Sequence, residues 1–165
     1  VMLYDIPARS STSLDVESIV RLSAHRNIVA LKDAKHDFTA TSWVRDRCDI
    51  KIYAGDDADL LPLLAVGAHG VVGVSSHIAG IEMGDIISEF RSGNMSKALA
   101  RHLSLLPVYA ALFEAPNPAL TKAALNILGL PAGPLRSPLQ EASKEQIQQL
   151  RSTLAASAFG NSPNF

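Results

Sequence analysis

Sulfur chemistry is almost missing from this sequence, whose 165 residues hold one cysteine, Cys48. A single thiol builds no intrachain disulfide framework and fits a reducing compartment, so a cytoplasmic location is expected. Surplus charge is missing as well: 15 Lys and Arg stand against 16 Asp and Glu, a net charge of −1. That balance predicts no nucleic-acid partner. The opening residues show no basic stretch ahead of an apolar run, so no secretory leader is expected. Neither a Gly-rich phosphate loop nor a nucleophile elbow occurs. Charged residues are scarce at 19% and aromatics at 5%, while 47% of the chain is hydrophobic and mostly aliphatic. Such a composition excludes a disordered chain and suits a buried α/β protein.

One long uncharged run, residues 60–81, has the length of a membrane span. Pro62, Gly67, Gly70, Gly73 and Gly80 interrupt it, so it reads instead as a buried helix over 58–66 and a buried strand over 70–74, with no membrane partner.

The rest of the chain alternates in the same way. Residues 1–6 read as a strand stopped by Pro7. Ser13 to Asp15 offers a helix start ahead of Val16, Ile19, Val20 and Leu22, which share one face. Residues 28–31 are the next strand, running into Lys32. A helix over 37–47 follows, with Phe38, Trp43 and Val44 as its apolar side. Residues 50–54 form a third strand, closed by Gly55, Asp56 and Asp57. Strand starts fall 20 to 27 residues apart, the spacing of βα units, and continuous aliphatic strands predict a parallel sheet covered on both faces. Beyond residue 74 the pattern is helical only, over 77–91, 95–113, 118–128 and 144–156.

In open parallel sheets and closed barrels alike, chemistry gathers at the C-terminal strand ends. Those ends carry Tyr4 and Arg9, Lys32, Gly55 with Asp56 and Asp57, and Ser75, Ser76 and His77. Lys32 directly follows the apolar run Ile28, Val29, Ala30, Leu31. Desolvation there favours a free amine able to attack a ketone and form a Schiff base; the alternative is a lysine reaching past the strand end to Asp33 or Asp56. Tyr4 ends the neighbouring strand, where its phenol could serve a carbinolamine at Lys32 or simply pack. Arg9 suits bidentate capture of a carboxylate, or is a solvated arginine. Gly55 lets backbone approach a ligand closely, or only makes a turn. The Asp56, Asp57 and Asp59 group reads as a helix start, with Asp57 or Asp59 capping, and no metal site is expected.

Together these segments resemble the dihydrodipicolinate synthase family. Leu3-Tyr4-Asp5-Ile6-Pro7-Ala8-Arg9-Ser10 is similar to its segment of tyrosine, Asn or Asp, an apolar residue, proline, any residue and arginine. Asn27-Ile28-Val29-Ala30-Leu31-Lys32-Asp33-Ala34 resembles its Schiff-base strand. Tyr53-Ala54-Gly55-Asp56-Asp57, the run from Gly67 to Val74, Pro116-Asn117-Pro118 and Leu135-Arg136-Ser137-Pro138-Leu139 continue the likeness in order.

The resemblance implies an α/β fold of the TIM (β/α)8-barrel family, this chain covering strands 5–8 in residues 1–92. A C-terminal helical domain over 93–158 and a disordered tail over 159–165 follow. It implies a homotetrameric lyase of lysine and diaminopimelate biosynthesis. Such an enzyme condenses pyruvate with L-aspartate 4-semialdehyde to 4-hydroxy-tetrahydrodipicolinate. By motif position, Lys32 forms the covalent pyruvate imine without a further cofactor and Tyr4 relays protons. Arg9 holds the semialdehyde carboxylate, while Gly55 and Val72 line the pyruvate pocket. Related N-acetylneuraminate lyases and 2-keto-3-deoxy acid aldolases share the lysine strand but generally lack the arginine. A non-catalytic half-barrel subunit is the reading from another class. Asp5 stands where the family more often has Asn, and Ser10-Ser11 where Thr-Gly is frequent. The family's first four βα units have no counterpart here, so the resemblance implies that this chain alone does not reach family rates.

Overall fold

Four short strands, β1 (Met2–Asp5), β2 (Ala30–Asp33), β3 (Lys51–Ala54) and β4 (Gly70–Val71), form one parallel sheet in the order β1-β2-β3-β4. They belong to a computed structural model that describes residues 1–157 and 159–160. The residues fall into two units, Val1–Gly73 with Glu89–Gly93, and Val74–Ser88 with those described from Asn94 onward.

In the first unit β1, β2 and β3 are each followed by helix. Pro7 does more than stop β1: it opens a short helix α1 (Pro7–Ser10), which its fixed φ and missing N–H allow at a first position. Helix α2 (Val16–Ser23) starts at Asp15, whose carboxylate accepts from the Ser18 N–H at 2.7 Å and the Ser18 hydroxyl at 3.0 Å. Helix α3 (Phe38–Arg47) is capped likewise by Asp37, which accepts from the Ala40 N–H. Its buried residues are Thr41 and Val44, whereas Phe38 and Trp43 are exposed. The apolar face expected through Phe38 and Trp43 is therefore replaced by one on which the Thr41 hydroxyl bonds the buried Asp33 carboxylate at 2.5 Å. Helix α4 (Leu60–Ala65) has Asp59 at its N-cap without a side-chain cap bond, so of the two carboxylates offered as the cap, Asp57 or Asp59, the second does not serve. That carboxylate turns to His36, with Nδ1 and Oδ2 2.6 Å apart. Burial pushes it above its ordinary value of 3.8, against the opposing pull of His36.

Side chains alternate across the sheet. Leu31 and Ile52, in register, are fully buried with Ile19 of α2, Val44 of α3 and Ile50, and Leu3 packs against the same cluster. The opposite face of the sheet is not covered within this unit. There Tyr4 is 48% exposed and Val72 41%, so the expected burial of both faces holds for one.

Strand β2 lies two residues further along than the run 28–31 suggests. Lys32 sits inside the strand, in register with Tyr4 and Tyr53, rather than after it. Ladder hydrogen bonds to both neighbours set that frame.

The second unit contains helices α6 (Met95–Leu112), α7 (Ala119–Ile127) and α8 (Lys144–Ala155), and the larger part of α5 (Ser76–Arg91). A capping box joins Ser143 and Gln146 at the start of α8. The core joins Val108 and Leu112 of α6 to Leu120, Ala124 and Ile127 of α7 and to Leu150 and Leu154 of α8. Phe159 packs against that cluster, while residues 161–165 of the expected tail lie outside the described residues.

His102 of α6 is buried, and its Nδ1 has no hydrogen-bond partner among the described residues. Burial holds the imidazole below its ordinary 6.5. The folded chain then binds fewer protons at this site than the unfolded one. Its contribution to stability is whole above pH 6.5 and is lost as pH falls from 6.5 through the lower folded value. Urea midpoints measured at pH 7.5 and pH 5 are expected to diverge less in His102→Leu than in the parent. An equal divergence overturns the assignment.

Candidate active site

The row Tyr4, Lys32, Tyr53 and Gly70 crosses all four strands in register on the uncovered face. Leucine and isoleucine precede Lys32 and Tyr53 in their strands, and those apolar neighbours fix the pleat by turning to the helices. Lys32 and its tyrosines are thereby turned the other way. Lys32 Nζ lies 4.2 Å from the centroid of the Tyr4 ring, a cation–π contact. Lys32 is half-buried rather than enclosed.

Gly55, one residue past β3, presses against the stem of Lys32. A Cβ built there would meet Ala34 Cβ at 2.8 Å, the Asp33 carbonyl oxygen at 2.9 Å and Lys32 Cγ at 3.0 Å. Two of these neighbours are backbone or a backbone-fixed methyl, so relief falls on Lys32. Gly55→Ala is expected to cost about 1–3 kcal/mol, as overpacking does, and to displace the lysine stem. Urea denaturation measures the first effect, and the rate of lysine modification by a carbonyl reagent the second.

Val72 continues past β4, where its N–H donates to the Ala54 carbonyl at 2.9 Å. The strand alternation gives it the same face as Lys32. At Gly73, the next residue, any Cβ would overlap the buried Asp57 carboxylate. Arg9 stands apart, exposed on α1. Among the described residues no ion pair or hydrogen bond joins its guanidinium to the other four. The structure thus brings Tyr4, Lys32 and Gly55 together, sets Val72 on their face and leaves Arg9 on its own.

Two features escaped the sequence reading. Tyr53 shares the lysine's row and lies against His69, ring centroids 6.1 Å apart. On the helix side, Asp5 and Asp33 are buried side by side in register. Lys35 Nζ lies 3.2 Å from Asp5 Oδ2, and both side chains are almost wholly buried. An acidic residue ending each of two aliphatic strands was the available signal. Among the described residues, no group of three His, Cys, Asp or Glu is placed to hold a metal ion. No helix among them is long and apolar enough to cross a membrane.

Comparison with known proteins adds one family and three relatives. The model of the dihydrodipicolinate synthetase family matches residues 1–157. The chain is 50% identical over 159 residues to 4-hydroxy-tetrahydrodipicolinate synthase from Acidothermus cellulolyticus, covering 96% of this chain and 52% of that protein. A crystal structure of DHDPS from Cyanidioschyzon merolae with lysine bound matches with TM-score 0.93 and 38% identity, over 96% of this chain and 54% of the other. A dihydrodipicolinate synthase from Bacillus anthracis gives TM-score 0.92 at 40% identity, over 94% and 54%. The chain spans about half the length of the curated relatives it matches. The α/β fold is that of the TIM-barrel family, as the resemblance implied. The numbering of its four strands as the fifth to eighth rests on the resemblance alone.

Proposed function

This chain belongs to the dihydrodipicolinate synthetase family, and from that premise we propose that it carries the imine-forming half of a pyruvate-dependent lyase. The reaction read for the whole protein condenses pyruvate with L-aspartate 4-semialdehyde to 4-hydroxy-tetrahydrodipicolinate. The observation that carries this reading is Lys32 itself. It is a half-buried lysine in mid-sheet, with Tyr4 in register beside it and Gly55 against its stem.

The free amine of Lys32 attacks the ketone carbon of pyruvate to give a carbinolamine, and loss of water leaves the imine. The imine is an electron sink: removal of a methyl proton gives an enamine, whose carbon attacks the aldehyde of the second substrate. Tyr4 passes protons during these steps, a role supported by its register with Lys32 and the 4.2 Å between Nζ and its ring. The chain's own lysine provides the covalent chemistry, without a further cofactor. Gly55 and Val72 border the space beside Lys32 that the three-carbon acid would fill. Arg9, exposed and without a carboxylate partner among the described residues, suits the carboxylate of the semialdehyde. Its presence favours the synthase over sibling aldolases. The half-barrel over residues 1–92, the helical domain after it, a homotetramer and a cytoplasmic setting complete the reading. The lone cysteine supports the last of these.

Incubation with pyruvate followed by borohydride tests it. A mass adduct on the peptide containing Lys32 is expected, and its absence from folded protein removes the imine. Consumption of aspartate semialdehyde by the whole protein, rather than cleavage of sialic or keto-deoxy acids, then identifies the second substrate.

A further inference from the structure

The geometry points to Lys35 as a positioning residue, a buried clamp that holds Tyr4 and Lys32 in their working register from the opposite face of the sheet. The inference rests on the reading of Lys32 as the nucleophile and extends it to a residue that touches no substrate.

Lys35 lies three residues past Lys32, where β2 turns toward α3. Its ammonium reaches back to β1, with Nζ 3.2 Å from Asp5 Oδ2 and 3.2 Å from the Leu14 carbonyl oxygen. The side chains of Lys35 and Asp5 are 6% and 1% exposed. A charge pair so withdrawn from water acts through short distances and little screening. Every other bond to Asp5 ties the same point: the Leu14 N–H donates to Oδ1 at 3.1 Å and the Ser13 hydroxyl to Oδ2 at 3.3 Å. Beside it, Asp33 accepts from the Lys35 N–H at 3.2 Å and the Thr41 hydroxyl at 2.5 Å. The Ala34 N–H donates to the Asp5 carbonyl at 2.9 Å.

The outcome is a knot on the helix side of the residue pair Asp5 and Asp33. The pair just before it in the same two strands is Tyr4 and Lys32, turned to the other face. Tyr4 is the β1 residue paired with Lys32, and the tie at the next pair, Asp5 and Asp33, sets where it stands. The clamp is also needed electrostatically. Asp5 and Asp33 lie in register on neighbouring strands, both 2% exposed, and Lys35 is the cation paired with Asp5. Removing it breaks the tie that Nζ makes from β2 to Asp5 and to the Leu14 carbonyl, so the two strand ends part. That separation lifts Tyr4 from Lys32.

The full-length chain, reductively methylated on its lysines with 13C-formaldehyde, provides a readout independent of pyruvate. A lysine 4.2 Å above an aromatic ring shows an upfield ring-current shift, and Lys32→Arg assigns that resonance by removing it. In Lys35→Met the shift is expected to fall by at least half while circular dichroism still reports folded protein; Lys35→Arg is expected to restore it. If Lys35→Met does not fold, the neutral pair Asp5→Asn with Lys35→Gln, which buries no charge, is expected to fold and to show the same loss. With pyruvate and borohydride, the maximal trapping rate is expected to drop at least tenfold in these variants, with the half-saturating pyruvate concentration unchanged. A residue that only stabilised the fold would lower the melting temperature and leave shift and rate alone; that result in any folded variant overturns the clamp. Absence of an adduct in the parent protein overturns the reading of Lys32 as nucleophile instead, and the resonance then decides on the clamp by itself.

Discussion

Lys32→Arg is expected to abolish the borohydride-trapped pyruvate adduct entirely while leaving the melting temperature close to that of the parent. The two halves of that expectation have separate causes. A guanidinium stays protonated under all ordinary conditions and offers no lone pair to a ketone, so carbinolamine formation ends. The same guanidinium keeps the positive charge and stacks well on an aromatic face, so the contact now made by Nζ at 4.2 Å from the Tyr4 ring survives in kind. Lys32 is half-buried and meets the Tyr4 ring on the face turned away from the helices. The other five lysines serve as internal controls. Lys35 is held by Asp5, Lys122 donates to the Pro134 carbonyl at 2.7 Å, and Lys51 is exposed at the start of β3. Peptide mapping after trapping is the measurement. An adduct that persists in Lys32→Arg, on any lysine, refutes the assignment.

How much of this was legible in the sequence follows from which interactions are local. Asp15 and Asp37 precede helical patterns by one residue and cap them, an interaction spanning three residues. The strands were legible as aliphatic runs, and their separation by helical stretches as a parallel sheet. Register was not, because a ladder is set by residues tens of positions away; β2 accordingly starts at Ala30 rather than Ile28. That shift of two residues puts Lys32 within the strand rather than just past its end. Asp57 or Asp59 was read as a cap, and the Asp59 carboxylate instead meets His36, 23 positions earlier. In the candidate site, Lys32, Tyr4 and Gly55 were legible by residue type and motif, and the structure sets them side by side. The Lys35–Asp5 pair was hidden, since a lysine in a polar turn reads as solvated until β1 is laid against β2. Arg9 was found as a residue but not in position, because α1 was itself unforeseen.

Leu31→Ala, one residue from the proposed nucleophile Lys32, is expected to reverse the pattern of Lys32→Arg by losing stability and keeping the chemistry. Leu31 is fully buried among Ile19, Val44, Ile50 and Ile52. Its truncation removes apolar transfer energy and leaves a cavity between β2 and the helices α2 and α3. Such losses run at about 2–5 kcal/mol, the larger values where surroundings cannot collapse. Collapse is restricted here, because Leu31 is pinned by ladder bonds to both β1 and β3. Leu31→Met, which roughly conserves volume, is expected to cost below about 1.5 kcal/mol. Urea denaturation measures both, and a loss under about 1 kcal/mol for Leu31→Ala would show that the cluster does not hold the sheet to its helices. Pyruvate trapping at low temperature, where the variant is still folded, separates the two faces. The pleat sends Leu31 to the helices and Lys32 away from them, so the cavity opens behind the strand and the ring of Tyr4 stays where it was. Trapping per folded molecule is therefore expected within about twofold of the parent, an energy difference on the order of 0.4 kcal/mol. A tenfold fall would mean that the packed face governs where the amine points, and that β2 does not separate its structural face from its chemical one.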